Sequence, residues 1–278
     1  MRAIVLDDYG RPQAADLPAP EPSLEVLACG LCGSDVEKLG SAPAGTVLGH
    51  EVVVRTAAGG REALVHHRPC GVCARCRAGH ESTCEEFAEP TIAPGGFAER
   101  VAATEGVAIP DGLDDARATM VEPLACVLRG AERVPRGRVL VVGNGFVGRL
   151  FAAVLARRGD DVFAVDADPR RAGRAPDGPV DAAVVCANGG LNAALDAVEP
   201  GGTVLVFAEA GSLASDAVYR RELTIAGSRS ATPASMAEAA ALLPELDVPE
   251  PVVLPLERFG EGLDLFVRRE ALKVVFVP

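Results

Sequence analysis

The chain has 278 residues, 49% of them hydrophobic and 24% charged, which are the proportions of a globular protein with room for two domains. A net charge of −12 repels nucleic acid and anionic membrane surfaces, and the absence of Trp removes an obvious platform for stacking bases. No stretch is long and apolar enough to cross a bilayer, and MRAIVLDDYG reads as a first strand rather than a signal peptide, so a soluble cytoplasmic protein with reduced thiols is expected.

The first third is β-rich. Short apolar strands are predicted at 3–6, 24–28, 51–55, 63–66 and 97–102, separated by Pro and Gly, which suggests a small barrel-like domain over residues 1–120. Within it, ACGLCGSDVEKLG supplies Cys32, Ser34 and Asp35, and TVLGHEV supplies His50 and Glu51. Taken singly these residues are ambiguous: Cys32 suits a small core position, His50 a loop, and Asp35 the first turn of a helix. Ser34-Asp35-Val36-Glu37 also fits a capping box, with Ser34 and Glu37 satisfying backbone donors at a helix start.

The run PCGVCARCRAGHESTC follows, and its spacing C-x2-C-x2-C-x7-C brings Cys70, Cys73, Cys76 and Cys84 into one short loop. Two-residue gaps aim successive sulfurs at one point, and zinc takes four such ligands at about 2.3 Å, so residues 70–84 read as a closed structural zinc lobe. Two disulfides would need an oxidising compartment, and an iron–sulfur cluster is a rival without its usual ferredoxin-type spacing. His66, His67 and His80 flank or enter this lobe and read as surface residues, while Cys29, Cys126 and Cys186 read as small core fillers.

From about Val121 the pattern changes to strands alternating with amphipathic helices, which implies a parallel sheet covered on both faces over residues 121–249. Its first helix begins in MVEPLACVL, where Glu122 suits the helix dipole. Next, VLVVGNGFVGRLFAAVLARRGDDVFAVDAD places Gly143, Gly145, Phe146, Val147 and Gly148 between an apolar strand and a helix predicted over 146–158, with Asp166 ending the following strand. Strand, glycine turn, helix, strand and acidic end together form the dinucleotide fingerprint. Asp166 can accept ribose hydroxyls and repel a 2′-phosphate, which favours NAD over NADP, although Arg170, Arg171 and Arg174 just beyond could attract a phosphate or form a solvated face. The stretch between Asp166 and the next strand at Ala182 is too short for a full βα unit. The missing piece would be strand 3 of the order 3-2-1-4-5-6, leaving strand 2 as an edge and the adenine pocket more open. Residues 250–278 supply a strand, a helix and a last strand, and return to the first domain.

Joined together, the motifs MRAIVLDD, GLCGSD, LGHE, the cysteine lobe, GGFAERV, VEPLAC, GNGFVG, EPGG and ALKVVFVP resemble the zinc-dependent medium-chain dehydrogenase/reductase superfamily, in particular its polyol, sorbitol and threonine dehydrogenase-like branch. The resemblance covers essentially the whole chain, in a shortened form. It implies an α/β architecture: a GroES-like β-barrel catalytic domain beside a Rossmann doubly wound parallel sheet. It also implies two zinc ions per chain, with Cys32, His50, Glu51 and Glu122 around the catalytic one, and hydride transfer between a secondary alcohol, or its ketone, and a nicotinamide cofactor. One thiolate and one carboxylate already neutralise Zn²⁺, so one glutamate is expected to ligate and the other to stand back. Asp35 is then an acceptor fixing the tautomer of His50. Ser34 carries the proton in the family's scheme, Glu37 stands where relatives have a His, and Lys273 falls where they place a basic residue close to the cofactor. The resemblance further implies a homo-oligomer, dimer or tetramer, acting on a small alcohol or ketone. A redox-neutral epimerase or lyase and a non-catalytic zinc- and nucleotide-binding scaffold are the alternatives.

Overall fold

The computed structural model describes residues 1–213 and 215–278 and divides them into two compact units, one of residues 1–123, 231–245 and 249–278, the other of residues 124–230 and 246–248. In the first unit the strand Leu24–Gly30 is central. It pairs antiparallel with Glu51–Arg55, Gly30 opposite Glu51, and with the C-terminal strand Val274–Val277, Phe276 opposite Cys29. Arg61–Leu64, Gly106–Ala108 and Arg100–Ala103 extend the sheet, and Val252–Pro255 runs parallel to Val274–Val277 at its far edge. The result is a curled, largely antiparallel half-barrel. A separate ribbon joins Arg2–Leu6 to Pro12–Asp16.

The apolar faces close on a ring cluster. Phe97 stands edge-on to Phe259 at 4.9 Å and to Phe276 at 5.7 Å, and Phe259 tilts against Phe276 at 4.7 Å. All three rings are buried, and two of them come from the last twenty residues of the chain. Burying each such side chain stabilises the unit by about 1.5–3 kcal/mol, so the C-terminal segment is an integral part of this core.

Residues 231–245, read from sequence as part of the nucleotide domain, cluster with the first unit instead. Their helix, Pro233–Leu242, packs on the strand Gly106–Ala108 and buries Met236, Ala239 and Ala240. The strand Val198–Val206 begins immediately after the helix Leu191–Ala197.

The second unit is a five-stranded parallel sheet with the order Asp161–Val165, Arg138–Val142, Val180–Val185, Val198–Val206, Thr224–Gly227. This is the expected doubly wound order without its third strand, and Asp161–Val165 is an edge. The edge is partly covered by the shortened connection: the Ala164 amide donates to Arg174 O at 3.0 Å and the Gly173 amide to Ala164 O at 3.2 Å. The Arg174 guanidinium also lies 4.1 Å from the centre of the Phe163 ring, a cation–π contact that masks the apolar strand. Among the described residues no helix is long and apolar enough to cross a membrane.

The glycine turn after Val142 is sterically tight. Gly143 has φ +97°, and a Cβ at Gly148 would sit 1.9 Å from Gly143 O. Gly148→Ala should therefore destabilise the protein by about 2–3 kcal/mol in urea unfolding; a change within about 0.5 kcal/mol would show that the turn has room to relax.

Candidate active site

The helix Gly33–Lys38 begins where the central strand ends, so Cys32 sits at its N-cap. The acid that reaches back to the cap is Asp35: its Oδ2 accepts from the Cys32 amide at 3.1 Å, two residues ahead of the Ser34–Glu37 box read from the sequence. Glu37 is exposed, and its carbonyl accepts from Ser41. Asp35 Oδ1 accepts from the Gly49 amide at 3.2 Å and lies 3.3 Å from His50 Nδ1. Asp35 is only 2% exposed, so burial alone would raise its pKa. The facing His50 and the amides of Cys32 and Gly49 outweigh burial and hold the carboxyl below its usual range, while Asp35 and Cys32 hold the His50 imidazole well above its own despite burial.

With Nδ1 engaged by Asp35, His50 has its Nε2 left as a metal donor. One donor atom each from Cys32, His50 and Glu51 lies within 4.8 Å of the others, a sulfur, nitrogen and oxygen set of the kind zinc accepts. Glu122, in the first turn of the helix Val121–Ala131, is not a member of this group. The Ser34 hydroxyl donates to Cys32 Sγ at 3.4 Å. Lys273, which the resemblance puts close to the cofactor, is 2% exposed in the first unit, ion-paired with Glu51 and donating to Leu31 O at 3.1 Å.

The four lobe cysteines form the other convergent group. Cys70 and Cys76 sulfurs are 3.9 Å apart, and backbone amides point at the thiols: Cys73 N to Cys70 Sγ at 3.3 Å, Cys76 N to Cys73 Sγ at 3.4 Å, Cys70 N to Cys84 Sγ at 3.5 Å. Amides aimed at sulfur favour thiolate, the form a metal needs. None of the eight cysteines is in a disulfide.

A row of rings joins the two groups. His50 and His66 have ring centres 5.2 Å apart, His66 and His67 4.0 Å, His67 and Phe87 5.0 Å, and Phe87 packs on Cys76 and Cys84.

In the second unit the helix Phe146–Arg158 starts at Gly145, directly after the turn made by Gly143. Asp166 Oδ2 accepts from the Asn144 amide at 2.8 Å and Oδ1 from the Asp168 amide at 2.8 Å, so the acidic strand end is tied to the glycine corner. The helix starts at Phe146 and Val147, so its first backbone amides, which have no partner within the helix, follow the glycine turn directly. The neighbouring arginines are paired: Arg170 grips Asp168 with both prongs at 2.9 and 2.6 Å, and Arg174 pairs with Asp161.

Residues 20–111 match the family described as "Alcohol dehydrogenase GroES-like domain". L-galactonate-5-dehydrogenase of Escherichia coli K12 is 26% identical over 94% of this chain and 93% of its own length. D-altritol 5-dehydrogenase of Agrobacterium fabrum is 29% identical over 83% of this chain and 84% of its own. Alcohol dehydrogenase TADH from Thermus sp. ATN1 superposes with a TM-score of 0.82, is 26% identical, and covers all of both chains. These matches support membership of the medium-chain dehydrogenase/reductase superfamily.

Two features of the chain escape a motif reading. One is the Lys273 pairing with Glu51, signalled only by a lysine inside the apolar run ALKVVFVP. The other is His66, half-buried against His50 with a buried Nδ1 that has no hydrogen-bond partner. Burial, followed by the charges of His50, His67 and Lys38, lowers the His66 pKa to about 3. A lowered value means a neutral ring well into acid. Nitrogen-15 NMR should show His66 still neutral at pH 5, whereas protonation near the ordinary 6.5 would contradict its placement.

Proposed function

We propose that this chain is a zinc-dependent dehydrogenase that oxidises a secondary alcohol of the polyol or sugar class with NAD, or reduces the matching ketone. The observation that carries the reading is the convergence of Cys32, His50 and Glu51, with His50 oriented by Asp35, in a chain whose relatives are named for the 5-dehydrogenation of sugar acids and alditols. Those relatives are named for net oxidation, which favours dehydrogenation over a redox-neutral epimerase or a non-catalytic scaffold.

In this reading Cys32, His50 and Glu51 hold the catalytic zinc, Glu122 stands outside the ligand set, and Cys70, Cys73, Cys76 and Cys84 hold a structural one. Zinc supplies Lewis acidity that makes a hydroxyl easier to deprotonate, and the nicotinamide supplies the hydride acceptor. The chain's own residues do the rest. Asp35 fixes which nitrogen of His50 is available. Ser34 Oγ, beside the Cys32 sulfur, takes the hydroxyl proton and passes it to solvent, because the exposed Glu37 offers no inward relay. Gly143, Gly145 and Gly148 let backbone approach the pyrophosphate, with Phe146 and Val147 at the helix start. Asp166 receives the adenosine ribose.

NAD is preferred to NADP because Asp166 would face a 2′-phosphate with like charge, and Arg170 and Arg174 already have carboxylate partners. Substrate is a small alcohol or ketone, and the segments 1–120, 121–249 and 250–278 serve as catalytic, cofactor and returning segments, except that residues 231–245 belong with the catalytic unit.

The test is a panel of alditols, aldonic acids, cyclitols and amino alcohols followed by nicotinamide absorbance. We expect turnover of at least one alditol or sugar acid, with kcat/KM for NAD exceeding that for NADP by roughly tenfold or more. Equal or better use of NADP would overturn the cofactor assignment, and turnover of none of the panel would overturn the substrate class.

A further inference from the structure

We infer that Arg149 is a further cofactor-binding residue, whose guanidinium meets the pyrophosphate of the dinucleotide at the glycine corner. The inference rests on the cofactor reading above and adds to it a residue outside the glycine fingerprint that grips the same phosphates.

Arg149 is the fourth residue of the helix Phe146–Arg158 and follows Gly148 directly. Its side chain turns back along the helix, and Nε donates to Asn144 O at 3.4 Å, inside the glycine turn. The residue is half-buried, and among the described residues it has no carboxylate partner. The acids tied to this turn are already used: Asp166 accepts from the amides of Asn144 and Asp168, and Asp168 is gripped by Arg170.

This placement is unfavourable for the chain alone. The start of a helix carries about half an elementary positive charge, and cations are stabilising at the opposite end. Here a guanidinium folds back onto the positive end. A second one, Arg171, stands across the turn, its Nη1 3.8 Å from where a Cβ on Gly145 would lie. Arg171 has Asp168 at 4.0 Å, whereas Arg149 has only a carbonyl. An anion bound at the corner turns each of these repulsions into an attraction.

Room for the anion is present. Gly145 has φ −75°, an ordinary value for any residue, and, its chain neighbours aside, Arg171 Nη1 is the one described atom within 4 Å of a Cβ built there. Gly143 and Gly148 are instead crowded by the chain itself: Cβ atoms there would meet Ala187 Cβ at 2.6 Å and Gly143 O at 1.9 Å. Neither backbone conformation nor packing requires glycine at 145, which leaves the outer face of the turn open to a ligand, between a guanidinium held at Asn144 O and another beside Gly145.

The experiment uses the full chain and three probes: NADH, followed by its own fluorescence, ADP as a competitor that carries a pyrophosphate, and adenosine as a competitor that carries none. Arg149→Leu should weaken NADH and ADP roughly ten- to a hundredfold, the share of a charge-assisted hydrogen bond or two, with adenosine binding as in the parent. Added salt should weaken NADH less steeply in Arg149→Leu than in the parent, because one screened charge pair is gone. Arg149→Lys, which keeps the charge, should recover part of the affinity. Unchanged binding of NADH and ADP in Arg149→Leu, or an equal loss for all three probes, would overturn the inference. Where Arg149→Leu does not fold, Arg149→Gln decides by the same comparison. A parent chain that binds no NADH would overturn the proposed function and the inference with it, whereas a parent that binds NADH as tightly as Arg149→Leu does overturns the inference alone.

Discussion

One buried carboxylate, Asp35, organises the first unit's site. It binds the amide that starts the Cys32 helix, the Gly49 amide that leads into the next strand, and the His50 ring. Two of these partners are the residue that supplies the sulfur and the residue that supplies the imidazole. A carboxylate this deeply buried is tolerable only because its oxygens are satisfied in this way, and the same bonds fix where both donors point. The helix is six residues long, too short to hold its own shape in water, so the cap and the strands around it keep Cys32 in place.

Polar groups elsewhere in this unit are likewise used in pairs. Lys273 and Glu51 neutralise one another beneath the site, and the amides of the cysteine loop turn toward sulfur. The ring row from His50 through His66 and His67 to Phe87 gives the two donor groups a shared packing surface, so the loop that carries four cysteines also supports the wall beside His50. This is economical in a short chain, where a single loop stabilises itself and a neighbouring site.

The features legible in the sequence are those whose chemistry is local. Four sulfurs within one turn-rich run, or three glycines between a strand and a helix, constrain one another directly, and the helix 146–158 begins and ends where its Gly145 and Gly159 caps dictate. The edge position of Asp161–Val165 follows from simple counting of chain between Asp166 and Ala182. Features that depend on folding across the chain are not visible there. Glu51 and Lys273 are 222 residues apart, and nothing near either names the other. His66 reads as a surface histidine until the strand Arg61–Leu64 carries it to His50. Ser34 and Glu37 both suit a cap by residue type, yet the cap falls at Cys32 since the preceding strand runs to Gly30. The helix at 233–242 has the composition of either unit, and only its packing on Gly106–Ala108 assigns it to the first.

The central claim is that Asp35 assembles Cys32, His50 and Glu51 into a metal site distinct from the four-cysteine lobe. The direct test is zinc per chain by plasma mass spectrometry for the parent protein and for Asp35→Ala, with circular dichroism to establish that the variant is folded. The account predicts two zinc ions per folded parent chain and one in the variant, the survivor in the lobe. Two equally retained zinc ions in folded Asp35→Ala would contradict it.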